Sequence, residues 1–171
     1  MMNTVWQRLD VLARMLTPSL ITGGLVILSV LPLHIPSYSS VVPSFALMAV
    51  FYWSLHRPDL LPAFTVFLVG ILYDILTGGP MGVQACVLLG VYWVTGLQRQ
   101  FLLGKSFLVV WWAFIMIAAA AEVLQWIIMS LIFATLIIPL SALFSFLQTA
   151  ALYPLFARVF IRVQSTLPQV A

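Results

Sequence analysis

Apolar runs separated by short polar connections recur along the chain, and their lengths predict helices built to cross a membrane. Six can be placed: residues 18–35, 41–55, 60–76, 83–97 with room to continue to 103, one long segment from 106 to 138, and 139–160. Pro18 suits the opening turn of the first, and Pro32 bends or ends it. The connections are short. Residues 36–40 read Pro-Ser-Tyr-Ser-Ser, His56 to Asp59 make a polar turn, and Thr77 to Gly82 make a tight turn in which Gly and Pro together break any helix. Tyr52 and Trp53 are expected at the membrane interface that closes the second run. The second to fourth runs are short for a hydrocarbon core of about 30 Å, which predicts little tilt or local thinning of the bilayer.

The fifth segment carries a single charge, Glu122, and is too long for one simple span. A hairpin at Ala118–Glu122 would divide it, but an alanine run followed by glutamate favours helix and supplies no turn residue. One long crossing is therefore expected, with an outer end near 130–138 that bends away or lies in the interface. Pro139 opens the sixth run, and Pro154 within it predicts a kink.

Before the first run, Val5, Leu9, Leu12 and Leu16 recur at helical spacing while Arg8, Asp10 and Arg14 take the opposite face. This is the pattern of an amphipathic helix lying on a membrane surface. No small-residue cleavage site follows it, so it does not read as a removable leader. The expected organisation is an interfacial helix over 1–17, a transmembrane domain over 18–163 and a tail over 164–171.

Charge sets the orientation. Arg8 and Arg14 precede the first run, Arg57 follows the second, Arg99 and Lys105 follow the fourth, and Arg158 and Arg162 close the sixth. The alternate connections carry no lysine or arginine. Positive segments stay cytoplasmic, so six spans with both termini inside are expected, and a seventh crossing would carry Arg158 and Arg162 outside against that rule. The composition, 64% apolar and 6% charged with mean hydropathy +1.17, leaves a soluble globular domain no place and little room for one beside six spans. The net charge of +3 then reflects topology and not nucleic-acid binding.

Candidate chemistry is sparse. The lone Cys86 permits no internal disulfide or multi-cysteine metal site and reads as a small buried hydrophobe. His34 and His56 fall on opposite membrane faces, no serine has a base beside it, and the Gly78–Gly82 turn lacks the lysine and length of a phosphate-binding loop. No catalytic residue, metal site or cofactor site is predicted. Trp111 and Trp112, like Tyr92 and Trp93, read as interfacial or packing aromatics.

Two acids lie within spans, where ionisable groups are costly. Asp74 is expected within a turn of the outer surface, close to Gly78, Pro80, Gly82 and Gln84. Its plainer role is to accept hydrogen bonds from turn amides or from Gln84; an ion or proton site is the sharper alternative. Glu122 lies ~24 Å along its helix from Ser106, with Gln125 one turn on and Gln148 at similar depth. With no cation at that level, desolvation favours its neutral form, which would clip helices together through Gln125 or Gln148. A partner contact and proton coupling are the other readings. Ser141, Ser145 and Thr149 form a small-residue stripe that lets a helix of this chain or a partner approach closely.

The stretch from Val41 to Val94 resembles the rod-shape-determining MreD family. The matching features are Pro43, Tyr52-Trp53, the Arg57-Pro58 turn, Phe64, Gly70, Asp74, Gly78, Pro80 and Gly82, in that order. Chain length and the six-span layout are also similar, while the rest of the chain matches in hydropathy alone. The resemblance implies an all-α, multi-pass protein of the bacterial inner membrane, with a fold similar to the substrate-binding subunits of energy-coupling-factor transporters. It implies a subunit of the cell-elongation machinery with no catalytic activity. Its partners would be a single-span periplasmic MreC, the actin-like MreB and a peptidoglycan polymerase–transpeptidase pair.

Two functions are therefore expected to compete. The leading one is a membrane scaffold that docks partner helices through the Ser141/Ser145/Thr149 stripe or the Gly78–Gly82 turn. The alternative is a small-molecule-binding or transport subunit, which needs a polar cavity with Asp74, Gln84, Glu122 or Gln148 turned into it. An integral membrane enzyme ranks third.

Overall fold

A computed structural model describes residues 22–24, 44–134 and 140–166. Five α-helices follow one another: α1 (Phe45–His56), α2 (Ala63–Thr77), α3 (Val83–Leu102), α4 (Phe107–Phe133) and α5 (Leu140–Thr166), with a 3₁₀ turn at Pro58–Leu60 between α1 and α2. Residues 22–24 are helical as well, and no strand occurs among the described residues. The expected interfacial helix over 1–17, most of the first run, the loop at 36–40 and the last residues of the tail lie outside the described residues.

Contacts between helices close a circuit, α1 to α3 to α4 to α5 and back to α1, with α2 laid along α3. α1 is enclosed on every side, and its ten residues from Ala46 to Leu55 are all buried. That suits a helix apolar around its whole circumference. The other helices bury one stripe each: Val66, Val69, Gly70 and Asp74 on α2, and Phe114, Ile117, Ala118 and Ala121 on α4. Both sets repeat at three and four residues, the spacing that keeps side chains on one helix face.

The outward faces are apolar too. Leu108, Trp112, Met116, Val123 and Leu131 project from α4, and Leu147, Leu155 and Val159 from α5. Water does not tolerate a continuous apolar belt of this extent, whereas lipid does. α4 and a 20-residue stretch of α5, Leu143–Arg162, are each long and apolar enough to cross a membrane; α1 and α2 are shorter apolar helices.

α4 runs unbroken through Ala118–Glu122, with no hairpin, and stops where Ala134 turns left-handed at φ 48°. Its 27 residues give ~40 Å of helix, more than a hydrocarbon core of about 30 Å requires. Residues 135–138, the rest of the expected outer bend, lie outside the described residues. α5 continues on both sides of Pro154.

α3 uses the room left beyond residue 97 and extends to Leu102, where Gln98, Arg99 and Gln100 continue the helix past the apolar run and Arg99 Nε donates to the Leu55 carbonyl at 3.0 Å, at the end of α1. Two expectations need correction. Tyr52 and Trp53 do not present their rings to lipid headgroups: they are 1% and 0% exposed, packed by Phe160 of α5. Cys86 is exposed, not buried, because the inward stripe of α3 passes through Ala85 and Val87 on either side of it.

Candidate functional site

The connection between α2 and α3 is held by one carboxylate. α2 ends at Thr77 because Gly78 takes a left-handed conformation, φ 67°, and its N–H and that of Gly79 turn back to the Asp74 carbonyl. Gly82, at φ 95°, reverses the chain into α3. The first amides of a helix have no partner within it, and glycine at the cap offers no side chain to serve them. Asp74 supplies the missing acceptor from the preceding helix. Its Oδ2 accepts from the Gly82 N–H at 2.7 Å and its Oδ1 from the Gln84 N–H at 3.1 Å. A carboxylate in this position also meets the positive end of the α3 dipole. Asp74 is 4% exposed, so the pairing stands largely out of solvent.

Close packing brings the two helices together behind this clamp. A Cβ built on Gly70 would lie 2.3 Å from the Ala85 Cα and 2.7 Å from its nitrogen, so backbone touches backbone there. Gly70 and Asp74 stand one turn apart on the buried stripe of α2, one allowing the approach and the other bonding across it. Thr77 completes the turn by donating its hydroxyl to the Tyr73 carbonyl at 2.8 Å.

A second helix start is served in the same way. Thr149 of α5 is buried; its Oγ1 accepts from the Ser44 N–H, just before α1, at 3.0 Å and donates to the Ser145 carbonyl at 2.8 Å. The Ser44 side chain makes no cap of its own. Thr149 thus packs inside the chain. Ser145 is half-buried beside it, and the side chain of Ser141 lies outside the described residues.

The chain matches the family described as rod shape-determining protein MreD over residues 10–164. It belongs to the MreD family. No curated protein and no solved structure matches it. The MreD assignment joins the chain to a family of membrane proteins acting in rod-shape determination. The matched residues include the α2–α3 hairpin, in which Gly70, Asp74, Gly78 and Gly82 have the physical roles described above.

The remaining site candidates do not converge. Gln84 is 3% exposed, and its side-chain Oε1 has no hydrogen-bond partner, since Asp74 takes the backbone N–H instead. Glu122 is half-buried on α4. No hydrogen bond joins Glu122 to Gln125 or Gln148 among the described residues, and Gln148 is half-buried on α5. Pro80 lies in the turn, where its carbonyl accepts from the Val83 N–H at 3.5 Å. No group of three His, Cys, Asp or Glu able to hold a metal occurs among the described residues.

Apolar periodicity also conceals an aromatic spine. Phe51 of α1 meets Phe114 of α4 and Tyr153 of α5, and Phe114 stacks on Tyr153 with centroids 4.0 Å apart. Tyr52 stacks between His56 and Phe160, and Trp111 Nε1 donates to the Ala150 carbonyl at 3.1 Å. The only sequence signal was a high aromatic content, 13% of residues, which gives no pairing.

Proposed function

We propose that this chain is a non-enzymatic scaffold subunit of the cell-elongation machinery in the bacterial inner membrane. It crosses the bilayer six times, with both termini and all basic turns in the cytoplasm, as an interfacial helix over 1–17, a bundle over 18–163 and a tail over 164–171. It binds a single-span periplasmic MreC and, through that complex, links MreB to a peptidoglycan polymerase–transpeptidase pair. The observation that carries this reading is the family match over residues 10–164. The structure adds support of a different kind: its polar contacts go into fastening helix to helix, as expected of a part that presents a fixed surface.

The α2–α3 turn is the docking surface we favour. Met81 at its tip is 75% exposed, while Asp74 fixes the backbone beneath it. The transport reading gains no specific support, because the groove between α3 and α4 is lined by none of Asp74, Gln84, Glu122 or Gln148.

Depletion in a rod-shaped host tests the proposal. Cells should round up, and the tagged chain should co-purify with a single-span periplasmic protein. Rod shape persisting after complete depletion contradicts the scaffold role, and a complex lacking any such partner contradicts the docking assignment.

A further inference from the structure

α3 and α4 diverge to leave an open apolar groove of about 470 Å³. Val87, Gly90 and Gln98 of α3 and Ala113, Ala120 and Leu124 of α4 mark its extent. Small residues make the hollow, since Gly90, Ala113 and Ala120 withhold the side chains that would fill it. Along α3, Val87 and Gln98 are eleven residues apart, or ~16 Å. That is about half of a ~30 Å hydrocarbon core. The groove therefore matches the depth of one leaflet and is too short to seat a helix that crosses both.

Its two ends differ. At Gln98 the lining turns polar, and the same face of α3 continues through Phe101 to the turn carrying Lys105, whose Nζ sits 5.2 Å over the Phe101 ring. The first turn of α4 begins beside Lys105 with no side-chain cap from Ser106, leaving the positive end of a 27-residue helix facing the same boundary. No acidic residue occurs between Val83 and Ala121, so the charges at the Gln98 end of the groove and in the turn beyond it are Arg99 and Lys105; Glu122 of α4 comes further along, near the level where Leu124 approaches Gly90. Arg99 Nε is engaged with the Leu55 carbonyl, and Lys105 stands in the turn that follows the Gln98 end of the groove.

We propose that the groove holds one acyl chain of an anionic phospholipid from the leaflet beside the basic turns, with the headgroup phosphate at Lys105 and the first turn of α4. The apolar length accepts the chain, Gln98 marks the ester level, and the cation with the helix start selects a negative headgroup. This goes beyond the scaffold role and stands or falls separately from it.

Native mass spectrometry of the full chain in mild detergent, titrated with dioleoyl phosphatidylglycerol or dioleoyl phosphatidylcholine, tests it. The wild-type chain should retain the anionic phosphatidylglycerol in preference. Lys105→Gln should lower that preference about fivefold, the effect of removing one lysine from an anionic surface. Ala120→Phe, which fills the groove from an exposed position, should weaken both lipids, and Phe64→Trp on α2 should weaken neither. Equal retention of the two lipids by the wild-type chain overturns the proposal, as does unchanged binding in Ala120→Phe. Recovery of a second copy or a partner helix that Ala120→Phe displaces overturns it too. The wild-type comparison decides even if a variant does not fold.

Discussion

Asp74 shows how an acid within an apolar run stabilises a membrane protein without a cationic partner. Its two oxygens take up two amides at the start of α3, so the cost of placing an acid there is offset by satisfied backbone. Asp74→Ala strands both amides, at about 1–3 kcal/mol for each group that stays buried. Its thermal unfolding midpoint in detergent should fall by several degrees, and Asp74→Asn, which keeps one good acceptor, should fall less. Equal midpoints for wild type and Asp74→Ala contradict the clamp. Gly70→Ala drives a methyl group into the Ala85 backbone and should cost about 1–3 kcal/mol, separating α2 from α3. Gly82→Ala meets open space but keeps φ at 95°, so its penalty is strain of roughly 1–2 kcal/mol. Asp74 is legible from sequence because an acid beside a Gly-rich turn has backbone amides within reach. Thr149 is legible only as a small residue on a helix face; no periodicity reveals that its hydroxyl reaches the N–H of Ser44.

Among whole elements, lipid changes how packing energies should be counted. A Phe→Ala change in a water-soluble core costs ~3–5 kcal/mol, part of it from transfer out of water. Bilayer lipid is as apolar as the bundle interior, so only the lost contacts remain. Phe114→Ala removes the ring between Phe51 and Tyr153 and should destabilise by less than that range, yet clearly more than Trp112→Ala, whose ring is 62% exposed. Unfolding midpoints of the two variants in one detergent check the order. The same physics explains which elements hydropathy could delimit. α4 stands out because no charge interrupts its continuity except Glu122. The C-terminal end of α3 is less sharply marked, since the apolar run ends at Leu97 while the helix goes on to Leu102, within the room to 103 that the sequence leaves. Tyr52 and Trp53 suit an interface by residue type, and only the packing of α5 reveals that they are enclosed.

At the scale of the molecule, the described chain is a circuit of helices whose polar bonds point inward and whose apolar faces point outward. Fold class was legible because the membrane forces every backbone polar group into helix here, which long apolar runs record directly. The order in which helices meet was not legible, since it depends on small contacts such as Gly70 against Ala85 and on aromatic pairs that share one residue type across all faces. Sidedness rests on the seven basic residues and is the claim from which the docking surface follows. Impermeant thiol labelling in intact cells tests it most directly, with Cys86 replaced by serine and a single cysteine introduced by Met81→Cys or by Gln100→Cys. Both positions are exposed, one in the α2–α3 turn and one beside Arg99. The account predicts rapid modification of the Met81→Cys protein and none of the Gln100→Cys protein until the cells are opened. Modification of Gln100→Cys in intact cells, or protection of Met81→Cys there with labelling only after opening, would contradict it.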